Sequence, residues 1–130
     1  MTDTEPMPHP FADLLGFEVT SRDDGTCVSE LMLAPRHMNP HGVVHGAVVY
    51  ALADTGMGGA LTSLLDAGQI CSTIEIKINY FRPAVAGRLR CLTAVINKGR
   101  RTAVMESSVE DEAGRLIAKA MGTFMIIEEG

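Results

Sequence analysis

Basic charge is scarce in this chain. Its 130 residues hold 11 Lys and Arg against 16 Asp and Glu, a formal net charge of −5 at pH 7. That balance lacks the electrostatic footprint of a nucleic-acid binder. Cysteine is scarce too. Cys27, Cys71 and Cys91 are odd in number, widely spaced and without a CxxC pair. This argues against a disulfide framework and for packing roles in a reducing, cytoplasmic compartment. Residues 1–10 carry acids and prolines but no basic or apolar run, so they are expected to be a flexible N-terminus and not a signal peptide. There is no HExxH, no GxSxG elbow, and no Cys beside a matched His and acid, which excludes the usual zinc-protease and covalent serine or cysteine patterns. Repeats, low-complexity tracts and linkers are missing as well, so residues 11–130 are expected to form one domain.

What is present is one long apolar segment. From Val43 to Leu65 there is no Lys, Arg or Glu, and Asp54 is the only acid. The length approaches that of a membrane span, but a mid-segment carboxylate is expensive in lipid. A helix wrapped by protein is the better reading. It should start near Val44–Gly46 and stop at Asp66-Ala67-Gly68. Val49, Leu52, Ala53, Gly56, Ala60 and Leu64 form a stripe at helical spacing. Asp54 lies off that stripe, on a side shared with Ala47, Tyr50 and Leu61. Gly56, Gly58, Gly59 and Ala60 allow close packing against the helix. Gly56-x-Gly58-Gly59 sits inside this helical pattern and does not follow a strand, so it is not a phosphate loop.

Around the helix the pattern is strand-like. Phe11–Leu15 predicts one helical turn ending at Gly16. Phe17–Thr20 and Thr26–Leu33 flank the hairpin signal Asp23-Asp24-Gly25, and Arg36–Gly42 reads as loop. Thr73–Tyr80 alternates, with Ile74, Ile76 and Ile78 on one face. Leu89–Asn97, Thr102–Val109 and Leu116–Ile127 follow across short turns, which imply antiparallel neighbours. The predicted class is α+β: one long central helix wrapped by a curved antiparallel sheet of five to six strands. One sheet covers one side of such a helix, so the other side is expected to meet a second copy.

A lone carboxylate on an apolar helix needs partners or a task. Asp54 is a candidate general base or nucleophile. At the helix start, His45-Gly46-Ala47 offers backbone N–H groups without intrahelical partners, at the positive end of the dipole. Gly46 N–H suits a developing oxyanion. Gly46 and Asp54 are about 12 Å apart along one helix axis, so both reach one small reacting group only if a second helix runs antiparallel alongside. His37, His41 and His45 recur every four residues, but Pro40 and Gly42 interrupt any helix, so no metal site is expected and His45 reads as a loop organiser. Arg82, Arg88, Arg90, Lys98, Arg100 and Arg101 cluster after the central strand, either as solvated turns or as a grip on a phosphorylated ligand.

These residues resemble the active-site motif of hot-dog-fold acyl-CoA thioesterases. The resemblance rests on Asn39-x2-Gly42-x2-His45-Gly46-Ala47 followed by Leu52-Ala53-Asp54, on Thr73–Ala84, and on Gly114–Phe124. It is closest to the phenylacetate-degradation type, related to the 4-hydroxybenzoyl-CoA type. It implies that Gly46 N–H polarises the thioester carbonyl and that Asn39 helps hold the carbonyl or the water. Asp54 of the opposing subunit would act as base or nucleophile. Thr73, or Ser72 one position earlier, would be the positioning hydroxyl, and His45 would shape the loop. It further implies a homodimer that pairs into a tetramer, with no metal or cofactor beyond the coenzyme A of the substrate. Ala47 stands where the HGG-type motif commonly has its second glycine. The acyl group is expected beside the helix near Ala47, Tyr50, Met57 and Leu61. The nucleotide is expected near Arg82 and Lys98-Gly99-Arg100-Arg101. Two other readings are an acyl-CoA sensor without catalysis and a hydratase or dehydratase of the same fold.

Overall fold

A computed structural model describes residues 8–129. Pro10–Leu15 forms α1, with Pro10 at its first turn and His9 Nδ1 accepting the Ala12 N–H at 3.2 Å. Gly16, at φ +88°, supplies the left-handed residue that ends it. Residues 1–7 of the expected loose segment lie outside the described residues, and α1 starts at Pro10, one residue before the predicted Phe11.

Six strands follow the predicted order: β1 Glu18–Asp23, β2 Thr26–Met32, then β3 Gln69–Tyr80, β4 Arg88–Lys98, β5 Thr102–Glu110 and β6 Leu116–Glu128 after the long helix. A short 3-10 turn, Pro35–His37, lies in the stretch predicted as loop. The sheet order is β1-β2-β4-β5-β6-β3, and every neighbouring pair is antiparallel. The long helix α2, Gly46–Thr62, crosses one face of this sheet and contacts all six strands. This is the hot-dog architecture.

The helix stops before the predicted Asp66-Ala67-Gly68. Ser63 is its C-cap: its Oγ donates to the Ala60 carbonyl at 2.6 Å and accepts the Gly25 N–H of the β1–β2 turn at 2.8 Å. Beyond this cap the helical bonds tighten and stop, with the Leu64 N–H donating to the Leu61 carbonyl at 2.9 Å and the Leu65 N–H to the Thr62 carbonyl at 3.2 Å. The small residues act as expected. A Cβ on Gly56 would collide with Thr93 Oγ1, and one on Gly59 would lie 2.9 Å from Cys27 Sγ, so α2 packs close to β2 and β4.

Two further details differ from the sequence reading. The strand β3 begins four residues before Thr73. A bulge between Thr73 and Glu75 breaks its alternation, and Ile74 turns outward, 50% exposed, away from the face of Ile76 and Ile78.

The core-facing arc of α2 is wider than the counted stripe. Val48, Val49, Leu52, Ala53, Gly56, Met57, Ala60 and Leu61 are all buried. Met57 and Leu61 are 0% exposed and pack with Ala103, Met105, Ala120, Phe124 and Ile126. Their expected place in an acyl slot is therefore corrected: they are core residues under β5 and β6. Met57→Ala should cost about 2–5 kcal/mol and lower Tm by on the order of 10 °C, as calorimetry would measure.

The opposite arc of α2 is open. Ala47 and Thr62 are exposed, and Tyr50, Ala51, Asp54, Thr55 and Gly58 are half-buried. Apart from Asp54 this arc has no charge, although it faces outward. Beside it runs β3, an edge strand that pairs among the described strands only with β6.

Candidate active site

The loop before α2 is built by Asn39. Its Oδ1 accepts the N–H groups of His41 at 2.8 Å and Val43 at 3.4 Å. Its backbone N–H donates to the Val43 carbonyl at 2.8 Å. Gly42, at φ +79°, makes the tight return that only glycine adopts readily. With the side-chain oxygen held inside the loop, the amide nitrogen of Asn39 is the end left for a ligand.

His45 is the N-cap of α2. Its Nδ1 accepts the Ala47 N–H at 2.9 Å, and its carbonyl accepts the Val48 N–H at 2.9 Å. Among the described residues no acceptor takes the Gly46 N–H. The cap thus consumes the neighbouring donors and leaves one N–H at the positive end of a seventeen-residue helix.

Tyr80, at the end of β3, closes the other side of Gly46. Its hydroxyl donates to the Gly46 carbonyl at 2.7 Å, and a Cβ on Gly46 would lie 3.2 Å from the Tyr80 ring. Burial, with Tyr50 adding to it, pushes the Tyr80 phenol above its ordinary value, so it stays a donor at neutral pH. Val44, Gly46, Val49, Tyr80, Phe81, Arg82, Pro83 and Ile117 line an open cleft of ≈ 350 Å³. Tyr80 and Phe81 were not singled out from the sequence. Their signal was available, since two consecutive aromatics before Arg82-Pro83 leave one of them on the helix side of the sheet.

Asp54 sits two turns further along α2, half-buried. Thr73 Oγ1 donates to its Oδ1 at 2.8 Å. Ser72 is exposed and makes no hydrogen bond to Asp54. Cys71 lies close by: burial pushes its thiol above its ordinary value, a hydrogen bond with Thr62 opposes this, and the charge of Asp54 raises it further. Asp54 therefore has one hydroxyl donor and a protonated thiol near it.

One chain divides these groups between two ends. Asn39, Gly46, Tyr80 and Arg82 share one end of β3, while Asp54 and Thr73 lie towards the other. The cations divide likewise. Phe81, next to Arg82, donates its N–H to the Ile117 carbonyl, whereas the Ile126 N–H donates to the Arg101 carbonyl. Along β6 those points are about 30 Å apart. The expected single cluster of Arg82 with Lys98, Gly99, Arg100 and Arg101 is not formed within one chain, because the β4–β5 turn and the β3–β4 loop leave opposite ends of the sheet. Arg88 and Arg90 are paired with Glu30. Among the described residues no ion pair engages Arg82, Lys98, Arg100 or Arg101.

The three spaced histidines share no site: His37 is buried, His41 is in the exposed loop and His45 caps the helix. Among the described residues no three His, Cys, Asp or Glu side chains are placed to hold a metal ion.

Comparison with known proteins agrees with this fold. The profile of the thioesterase superfamily matches residues 41–118. The chain is similar to the putative esterase ComA2 of Bacillus subtilis, 28% identical over 95% of this chain and 98% of that protein. It is also similar to the acyl-coenzyme A thioesterase PaaI of Escherichia coli, 27% identical over 85% of this chain and 78% of that protein. Among solved structures, the conserved protein PA5202 of Pseudomonas aeruginosa superposes with a TM-score of 0.89 at 35% identity, covering 93% of this chain and 96% of that one.

Proposed function

The chain belongs to the thioesterase superfamily and is a thioester hydrolase, and from that premise we propose that its substrate is an acyl-CoA, cleaved to the free acid and coenzyme A. The observation that carries the reading is the pairing of a free Gly46 N–H at a helix N-terminus with a hydroxyl-held carboxylate, Asp54, on the same open helix face. The Gly46 N–H polarises the thioester carbonyl and receives the oxyanion, and the amide of Asn39 holds the carbonyl or the water. Asp54 either takes the proton of the attacking water or attacks the carbon itself, with Thr73 fixing its orientation. In the first case that proton then goes to the departing sulfur; in the second the C–S bond breaks to leave a mixed anhydride and the thiolate, and a water opens the anhydride, one of its protons going to the thiolate.

Both halves of that machinery meet in a homodimer. A two-fold axis through the middle of β3, near Ile76 and Lys77, continues the sheet through its open edge. It sets Thr73 opposite Tyr80 of the partner subunit, and Asp54 opposite Gly46 of the partner subunit. It also covers the uncharged open arc of α2 and brings Arg82 of the partner subunit to the same end as Lys98–Arg101. We place the pantetheine arm in the cleft beside Gly46, the nucleotide phosphates against Arg82, Lys98, Arg100 and Arg101, and the acyl group along Ala47 and Tyr50. Aryl-acetyl, aromatic and short to medium aliphatic chains fit this apolar arc. Pairing of dimers into a tetramer, and a cytoplasmic setting suited to three free cysteines, complete the proposal.

The test is release of free thiol from a panel of acyl-CoAs, including an enoyl-CoA. Turnover of saturated or aryl-acetyl thioesters is the expected result. Binding without turnover would replace the reading with an acyl-CoA sensor, and hydration of the enoyl-CoA would replace it with a hydratase. In the same assay, Arg100→Ala with Arg101→Ala should raise KM about tenfold at low salt and less at high salt, with kcat kept. An unchanged KM that is flat in salt would remove these arginines from the phosphate site.

A further inference from the structure

His37 has no part in the chemistry above, yet it is 0% exposed and its ring is fully engaged. Nδ1 accepts the Ala34 N–H at 2.9 Å, and Nε2 lies 2.7 Å from the Leu15 carbonyl. A carbonyl only accepts, so the 2.7 Å contact makes the ring the Nε2–H tautomer, donor on one side and acceptor on the other, and the Arg36 Nε at 3.5 Å from Nε2 is then a neighbour and not a donor to it. The Leu15 carbonyl also accepts from Arg36 at 3.1 Å. The backbone of the same residue reaches the active site: the His37 carbonyl accepts the His45 N–H at 2.8 Å. Loop 38–44, with Asn39, is thus a closed excursion between His37 and the residue that caps α2. The bridge between Met38 and Val44 zips it at the base.

We propose that His37 is a positioning residue for the reaction: its ring anchors the oxyanion loop to the C-terminal end of α1, and its carbonyl fixes the direction of the Gly46 N–H. The catalytic consequence rests on the thioesterase reading. The peptide linking His45 and Gly46 is held on both sides, by the His37 carbonyl before it and by the Tyr80 hydroxyl after it. Gly46 alone has no side chain to resist rotation, so the direction of its N–H is set from these neighbours. A buried imidazole with two short bonds has one allowed placement, because losing either bond leaves a buried polar group unpaired. An ordinary core residue at position 37 would fill the volume but leave the Ala34 N–H unpaired and the Leu15 carbonyl held by the exposed Arg36 alone, and the loop would be free to slide. One end of this anchor is the last residue of the six-residue helix ahead of the sheet.

The test compares wild type with His37→Leu and His37→Asn. The Asn side-chain oxygen can replace Nδ1 towards Ala34, so this variant keeps half of the anchor. All are measured at least about 15 °C below their own Tm, in the thiol-release assay and by amide hydrogen exchange over residues 38–46. His37→Leu is expected to lower kcat about tenfold to a hundredfold while KM stays within about threefold. Exchange at 38–46 is expected to accelerate, and His37→Asn should recover part of both effects. A purely structural histidine would lower Tm and leave kcat and the exchange of this loop unchanged, and that result overturns the proposal. Failure of the wild type to hydrolyse any thioester would sink the thioesterase reading by itself. Loop exchange in His37→Leu would then still decide the anchor: faster exchange keeps it, and wild-type exchange removes it. If His37→Leu does not fold, the same two readouts on His37→Asn decide, with kcat and exchange equal to wild type overturning the proposal.

Discussion

Asp54→Asn removes turnover and leaves the protein folded. The expected loss in kcat is on the order of 10³-fold, with Tm shifted by no more than about 2 °C. The substitution is nearly isosteric, and an amide oxygen still accepts the Thr73 hydroxyl that now bonds Oδ1 at 2.8 Å. What disappears is the basicity and the nucleophilic oxygen. Asp54→Ala should lose the same activity and in addition leave Thr73 Oγ1 without its acceptor, so it should be the less stable of the two. Thiol release from the best acyl-CoA, beside a thermal melt, measures both effects. A variant Asp54→Asn that keeps a kcat near wild type would sink the assignment of Asp54 as base or nucleophile and place that role on another group. If Asp54 attacks carbon and water opens the resulting anhydride at the Asp54 carbonyl, a single turnover of wild type in isotopically heavy water leaves the label in the Asp54 carboxylate. If it activates water, the label goes only into the acid product.

The fold and half of the site could be read from residue order. An uninterrupted apolar run with one acid, followed by four alternating segments joined through short polar turns, specifies one helix on one antiparallel sheet. The structure has that arrangement. The charge-free stretch and the cap His45-Gly46 also placed the helix start correctly. The helix end did not follow from local signals: its C-cap, Ser63, is held by the Gly25 N–H, thirty-eight residues earlier in the chain. Met57 and Leu61 were misplaced for a related reason. A stripe counted on an ideal wheel ignores how far a curved sheet wraps round the helix, and here β5 and β6 reach the flank that carries both residues. Bulges also escape pattern reading. The irregularity between Thr73 and Glu75 lets Thr73 face Asp54 while Ile74 turns outward. His37 was visible as a histidine but not as an anchor, since its two partners, Leu15 and Ala34, are backbone groups that leave no trace in side-chain chemistry.

Two inactive variants should restore each other. In the proposed dimer each site takes Gly46 from one subunit and Asp54 from the other, because a single helix holds them about 12 Å apart. Asp54→Asn lacks the base. Gly46→Val lacks a correctly placed donor, since a side chain there meets the Tyr80 ring at 3.2 Å already at its Cβ. Each homodimer is then defective at both sites. In a heterodimer, one site receives both defects and the other receives none. Unfolding the two proteins together and refolding them gives half heterodimers by random pairing, so activity should rise from near zero to about a quarter of wild type. The substrate KM of the recovered activity should match wild type, because the intact site is built from unaltered residues. Mixing without exchange of subunits should give nothing, which controls for contamination. If the mixture stays inactive while differently tagged subunits demonstrably exchange, the shared site is wrong, and Gly46 and Asp54 do not act on one thioester. If an otherwise wild-type chain made monomeric by a proline in β3, at Lys77, keeps its activity, the two groups meet within one subunit and the open arc of α2 belongs to some other contact. A quarter of the activity, lost on dilution below the dimer dissociation constant, is the outcome that joins the uncharged helix face, the open β3 edge and the divided cations into one cause.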